Sequence, residues 1–364
     1  MKNKNVMELC LSPDLGGLEL YMMRAAKSLK GRFNVISIIN TKGKLESYYK
    51  DTEHRYELLS KNSNLLMISS ARKLAKIMDA NKIDIVHLHW TKDIPICVLA
   101  KKLSKIKPKL VQTRNMNMTR FKDSLYHRFL YTNIDMMLPV TKKVEEQINK
   151  FIPEDIRPCI EVLYMGTDKL KLLSEEKILI FKKEHGMNVP FSVAMVGRIE
   201  EDKGQYLLIE ALSKLDRVEA FFVGREMKEG YIQSLKEQAK KLGIENRVHF
   251  LGFLKEPASF MQACDAMVLA TPCETFGLVV IEAMAAKTAM IATKACGPLE
   301  IIEDGISGML FENNNIDELS NKIQLLAQDD SLINKITLKA LKVTEDKFET
   351  VKQFDKLGNL FTGL

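Results

Sequence analysis

Long hydrophobic runs are missing from this sequence. The first apolar stretch, Val6–Leu11, is short and carries Glu8, and no later one approaches the ~20 residues a membrane-crossing helix needs, so neither a secretory leader nor a transmembrane span is expected. Cysteine is sparse and scattered. Cys10, Cys97, Cys159, Cys264, Cys273 and Cys296 show no C-x-x-C spacing, which fits neither a zinc site nor a disulfide framework, and a reducing, cytoplasmic setting is the expectation. G-x-G-x-x-G is absent too, and the second β-rich run ends in Asn40 rather than an acid, so the dinucleotide fingerprint is not there. No D-x-D is found, and no RNP, zinc-finger or helix-turn-helix pattern points to nucleic acid. Short-period repeats and low-complexity tracts are likewise lacking.

What is present describes a globular protein of 364 residues, 46% hydrophobic and 28% charged, long enough that two hydrophobic cores are expected rather than one. The net charge of +7 is unevenly spread. Residues 1–168 hold 29 Lys and Arg against 18 Asp and Glu, a net of +11, whereas residues 169–364 hold 25 against 29, a net of −4. Lys101, Lys102, Lys105, Lys107 and Lys109 crowd one segment, ICVLAKKLSKIKPK, whose apolar part has helical spacing. Two readings of it stand: a solvated helix face, or a surface attracted to an anionic acceptor or membrane leaflet.

Short β-rich runs alternate with longer helical patterns, as in parallel sheets covered by helices on both faces. Strands are expected at VMELCL, NVISIIN, IDIVHLH, PKLVQT and DMMLPV, and again at FSVAMVGRI, EAFFVG, VHFLGF, AMVLAT, AMIAT and GMLFE. Helices are expected over about 19–30, 73–81 and 141–150, and after most second-half strands. The pattern gives two Rossmann-like α/β domains, joined through a polar connector from about Asp168 to Pro190.

In open α/β sheets ligands bind beyond the C-terminal ends of the strands, so residues there carry functional weight. Gly16-Gly17 follows the first strand and opens a helix, which makes either a tight turn or a place where backbone amides approach an anion. Arg198 leaves a later strand and Lys203 stands five residues on. They are either surface cations among Glu200, Glu201 and Asp202, or two donors converging on a diphosphate. In CETFGLVVIEA a helix expected to begin near Phe276 or Gly277 would turn the amides of Phe276, Gly277 and Leu278 toward phosphate oxygens. Glu274 would then lie in the loop and Glu282 inside the helix, able to accept from ribose hydroxyls. Eight residues of helix span ~12 Å and leave side chains ~80° apart, so the two glutamates form two separate contacts rather than a glycosidase pair. His87 and His89 alternate onto one side of their strand, with His89 nearer its end; each is either a hydrogen-bonded core residue or part of the site.

Glu274 and Glu282 form E-x7-E. With Gly-Arg…Asp-Lys-Gly at 197–204, the early Gly-Gly, His-x-His, LYMGTD at 163–168 and ACGPLEIIEDGISGMLF downstream, the chain resembles the retaining GT4 glycosyltransferases over nearly its whole length. The resemblance implies a GT-B fold, two Rossmann-like domains facing each other across a deep cleft. Residues 1–168, with a returning helix at about 346–364, would bind the acceptor, and 169–345 the nucleotide-sugar donor. Arg198 and Lys203 would neutralise the diphosphate, Gly16 and Gly17 would approach it from the other domain, and Glu282 would hold the ribose. Glu274 would contact the donor sugar, with His89 also catalytic and Phe276, Gly277 and Leu278 supplying amides. Gly224, Arg225, Phe253 and Leu254 would lie near the base.

Such enzymes are thought to transfer on one face of the sugar, the leaving phosphate taking the acceptor's proton, so the resemblance implies no metal and no cofactor beyond the donor, a UDP-sugar foremost. Where many relatives place a histidine after PKLVQT, this chain has Arg114-Asn115, which with Arg120 and Lys122 suggests a different, anionic acceptor. The expected reaction is glycosyl transfer to a glycan, lipid-linked glycan or lipopolysaccharide or capsule precursor at the inner face of a membrane. The alternatives are a nucleotide-sugar epimerase or sugar phosphorylase, and a non-catalytic basic membrane- or nucleic-acid-binding protein on the same fold.

Overall fold

The structure, a computed structural model, describes residues 4–50, 52–60, 66–187 and 189–364. It divides into two compact units, the first running to Tyr164 and taking in Val351–Leu364, the second spanning Met165–Thr350.

The first unit is built on seven parallel strands: β1 (Asn5–Cys10), β2 (Asn34–Asn40), β3 (Tyr56–Leu59), β4 (Ile85–Leu88), β5 (Lys109–Arg114), β6 (Met136–Pro139) and β7 (Cys159–Ile160). Their order is β3-β2-β1-β4-β5-β6-β7. Helices cover both faces, so the central strands are buried on both sides and read as continuous apolar runs. Val6, Met7, Leu9, Val86 and Leu88 are solvent-free at the centre. The order reverses between β1 and β4, which makes that gap the switch point of the sheet. Strands β3 and β7 were not expected from the sequence. One is a half-buried edge of four residues and the other only two residues long, too short for periodicity to register.

The returning helix, Thr350–Gly363, packs within this unit. Phe361 sets its ring edge-on against His87 at 5.3 Å, Phe354 lies 5.5 Å from Tyr21, and Arg32 donates to the Asp355 carbonyl and the Asn359 side chain.

The second unit carries β8 (Phe191–Val196), β9 (Val218–Val223), β10 (Val248–Gly252), β11 (Ala266–Leu269), β12 (Ala289–Thr293) and β13 (Met309–Phe311), all parallel, in the order β10-β9-β8-β11-β12-β13. All six lie where the sequence places them. The switch point falls between β8 and β11. Its core runs through Val193, Leu208, Phe222, Val268, Ile291 and Phe311.

Candidate active site

Three strand ends of the second unit finish in glycine. Gly197 follows β8, Gly224 follows β9 and Gly252 closes β10, linked by Gly197 N–H to the Val223 carbonyl at 2.9 Å and Gly224 N–H to the Gly252 carbonyl at 2.8 Å. A Cβ on Gly224 would stand 1.6 Å from the Gly197 carbonyl oxygen, so this backbone row admits no side chain there. A flat, side-chain-free ledge results at the C-terminal edge of the sheet.

The charged residues border that ledge. Arg198 leaves β8 with its side chain 60% exposed and Glu200 alongside at 3.0 Å. It is open to a ligand, because such a half-solvated pair is cheap to exchange for a phosphate. Lys203 sits on the adjoining 3₁₀ turn and donates to Glu274 Oε2 at 2.9 Å. The turn is seated by Gly204, whose missing Cβ lets it lie against the Ala270 carbonyl past the end of β11, and by Gln205, which donates to the Arg198 carbonyl. Arg198, Lys203 and Glu274 thus share the strand-end edge on either side of the β8/β11 switch point. Arg225, after β9, stacks its guanidinium 4.4 Å over the exposed Phe253 ring, and Leu254 is half-buried beside it.

The helix of the E-x7-E stretch is Leu278–Ala285, starting one or two residues later than expected. Gly277 is its cap, at φ 101°, a left-handed conformation that glycine tolerates. The first-turn amides therefore begin at Leu278, while Phe276 turns inward, buried, with Phe348 edge-on at 5.9 Å. Glu274 stays in the loop and Glu282 lies half-buried within the helix.

Cysteine requires a correction. Cys273 and Cys296, 23 residues apart and read from their spacing as unpaired, are joined by a disulfide with Cα atoms 5.4 Å apart. They follow neighbouring parallel strands, β11 and β12, whose ends the sheet holds side by side. Sequence spacing does not report that adjacency. The linked loops are also bound by Gly297 N–H to the Glu274 carbonyl at 2.9 Å, and Gly297 packs so tightly on Phe276 that a Cβ would lie 2.2 Å from its carbonyl oxygen.

In the first unit, Gly16 caps the helix Gly17–Leu29, and its N–H is taken by Glu19 Oε2 at 2.8 Å. The helix start thus carries its own carboxylate where an external anion was expected. His89 stands directly past the end of β4, as expected, but is buried. Glu8 accepts from His87 Nδ1 at 3.0 Å and pairs with His89 Nε2 at 2.6 Å, and His87 Nε2 meets Thr113 Oγ1 at 2.7 Å. Burial pushes the Glu8 carboxyl up, but His87 and His89 outweigh it and hold it at about 2. Burial, then repulsion from His87, brings His89 down to about 4. Among the described residues these three are the only His, Cys, Asp or Glu side chains close enough together to hold a metal; Glu8 bonds both rings and Thr113 takes His87 Nε2, while His89 Nδ1 is buried without a hydrogen-bond partner.

Arg114 is buried and structural. Its guanidinium donates to the Met116 and Asn117 carbonyls and to Thr91 Oγ1, which builds the loop after β5. Asn115 beside it has both side-chain amide atoms buried without a hydrogen-bond partner, Arg120 is exposed, and Lys122 is half-buried. Burial and the charges of Arg114 and Arg120 lower the Lys122 pKa. Of the lysine segment, Lys101 and Lys109 are spent on Asp135, at 2.5 and 3.0 Å, which favours a structural reading for those two. A hollow of about 330 Å³ beyond the ends of β1 and β2, lined by Leu11, Pro13, Asn40, Lys42, Ser60 and Trp90, was not anticipated. No described helix is long and apolar enough to cross a membrane.

Two doubly wound parallel sheets, one with cations, a glycine ledge and a helix start gathered at its switch point, define a nucleotide-type α/β architecture. Residues 177–343 match the model of glycosyl transferases group 1, and residues 8–143 that of glycosyl transferase 4-like proteins. An uncharacterized glycosyltransferase of Methanocaldococcus jannaschii is 27% identical over 88% of this chain and 87% of its own length. The N-acetyl-alpha-D-glucosaminyl L-malate synthase of Bacillus anthracis is 26% identical over 78% and 76%. Among solved structures, Anabaena HepE in complex with UDP superposes with a TM-score of 0.89 at 23% identity over 99% of this chain and all of that one. A glycosyltransferase from Rickettsia africae gives 0.88, also at 23% identity, over 100% and 99%. The chain belongs to the GT4 family of glycosyltransferases and has the GT-B fold.

Proposed function

We propose that the protein is a retaining glycosyltransferase that takes a sugar from a nucleotide-sugar donor, a UDP-sugar foremost, and needs no metal to do so. The observation that carries this reading is the Lys203–Glu274 pair at the switch point of the second unit, beside the first turn of Leu278–Ala285. The two side chains satisfy one another at 2.9 Å. When donor binds, Lys203 turns to the diphosphate and Glu274 to the sugar hydroxyls, a cheap exchange because both side chains are about a quarter exposed (22% and 27%). Lys203, Arg198 and the amides from Leu278 onward then stabilise the charge that grows on the leaving phosphate. Glu282 holds the ribose, and Arg225 with Phe253 flanks the base. The bond from the anomeric carbon to phosphate oxygen breaks, the acceptor oxygen bonds that carbon on the same face, and the acceptor's proton passes to the phosphate. The HepE structure with UDP supports the choice of base by analogy of fold.

The acceptor is a glycan, lipid-linked glycan or lipopolysaccharide precursor hydroxyl, met by the first unit at the cytoplasmic face of a membrane. Support comes from the unpartnered Asn115 amide, from Arg120 and Lys122, and from the apolar side chains exposed around them: Met116, Phe121, Leu125, Tyr126 and Phe129. A lipopolysaccharide core biosynthesis glycosyltransferase of Rhizobium meliloti is 28% identical over 40% of this chain. Thermal melts against a panel of UDP-, GDP- and ADP-sugars test the donor reading. One nucleotide class, UDP foremost, raises the midpoint, since a ligand that binds only the folded state stabilises it, and no shift with any of them contradicts the reading.

A further inference from the structure

We infer that Cys273 and Cys296 form a thiol–disulfide exchange site that sets donor affinity, an inference that rests on the donor reading above. The bridge stands next to the residues that matter for that reading. Cys273 precedes Glu274, Cys296 precedes Gly297, and the Glu274 carbonyl accepts from Gly297 N–H at 2.9 Å, so the two loops are joined by one covalent rung and one hydrogen-bonded rung. The bridged loop is the one whose side chain meets Lys203.

Two further features show that this geometry is held rather than relaxed. Cys296 sits at φ 55°, a left-handed conformation that a residue with a Cβ disfavours. Gly297 is pressed onto the Phe276 backbone with no room for a side chain. Opening the bridge lets Cys296 leave that conformation and loosens the second rung, so Glu274 is no longer fixed where a donor sugar needs it.

The bridge is reachable. Cys273 is exposed and Cys296 half-buried, whereas Cys10, Cys97 and Cys264 are buried. A small dithiol, or two equivalents of a monothiol, is the co-reactant. Its thiolate attacks the Cys273 sulfur, the S–S bond breaks, and Cys296 leaves as a thiolate that takes a proton. A second thiol then displaces Cys273, leaving two protein thiols and one oxidised reductant, with two electrons transferred.

The test compares full-length protein oxidised with glutathione disulfide, reduced with dithiothreitol, and reoxidised, reading nucleotide-sugar affinity by calorimetry and the 273–296 linkage by peptide mass mapping. We expect the linkage in the oxidised sample and a donor Kd roughly fivefold higher on reduction, restored by reoxidation, as loss of preorganisation requires. Cys296→Ser should bind at the reduced value in every state, while Cys159→Ser, which changes the exposed free thiol, should respond like wild type. Equal affinity in samples shown to be bridged and open overturns the inference and leaves the donor reading intact, as does failure to find the linkage after oxidation. Binding of no nucleotide-sugar in either state removes the donor reading and this inference with it.

Discussion

At the scale of single residues, Glu8 and His89 show how a carboxylate brought from a neighbouring strand holds two rings whose partners spacing leaves open. His-x-His after a strand is compatible with a core residue or a site residue, and period-two alternation correctly puts both rings on one side. What the sequence cannot display is Glu8 on the neighbouring strand, paired in register with His87, because that contact joins residues 79 apart. The network has a pH signature. His89 is held down to about 4, so the folded state favours its neutral form, and that stabilisation is complete above the unfolded value of 6.5 and is lost as pH falls toward 4. Glu8, held at about 2, adds stability present above 4.5 that is likewise lost as pH falls toward 2. Both act in one direction. Denaturant unfolding of the first unit, followed through the single tryptophan, Trp90, should show stability falling steadily from pH 7 to pH 4; a flat profile over that range would remove the network from the account.

At the scale of elements, the sequence is most informative where strands are apolar and buried, the three-residue edge β13 included, and least where a short edge strand is partly exposed. All six strands of the second unit stand at their expected places, and so does the helix returning to the first unit. Tyr56–Leu59 escapes because its partly exposed residues carry no clean alternation. Within the candidate site, Arg198, Lys203 and Glu274 were legible because each follows a strand. The Cys273–Cys296 link and the Glu19 cap on Gly16 were not, since one needs the order of strands in the sheet and the other the reach of a single side chain.

The segment after β5 makes a prediction of its own. Leu125 is 88% exposed on the helix Leu125–Tyr131, a few residues past Arg120 and Lys122, and the proposed acceptor site at a membrane makes this surface the one to test against an anionic bilayer. Vesicles containing a third phosphatidylglycerol should carry the protein upward in flotation at low salt and lose it as salt rises. Leu125→Glu with Phe121→Glu should abolish flotation while leaving the melting temperature in place. Recovery of the doubly substituted protein equal to wild type would contradict the assignment.

At the scale of the whole molecule, charge and chemistry are apportioned between the halves. The first 168 residues carry the net +11, together with the exposed apolar side chains between Met116 and Phe129 and the unpartnered Asn115 amide. The remainder, at −4 overall, nonetheless gathers Arg198, Lys203 and Arg225 at one edge of its sheet. In the proposed function, these strand-end cations in an otherwise acidic unit draw the donor's diphosphate to that edge.

The measurement that tests this most directly is the rate of sugar transfer from the donor identified by thermal shift, in wild type, Arg198→Ala and Lys203→Ala. Each substitution should lower kcat/KM by about 100-fold or more, as removal of a charged group stabilising a leaving phosphate does, with the fold retained because Arg198 is 60% exposed and Lys203, at 22%, makes one ion pair at the edge of its unit. Rates within threefold of wild type in folded protein would show that these two cations do not carry the leaving group.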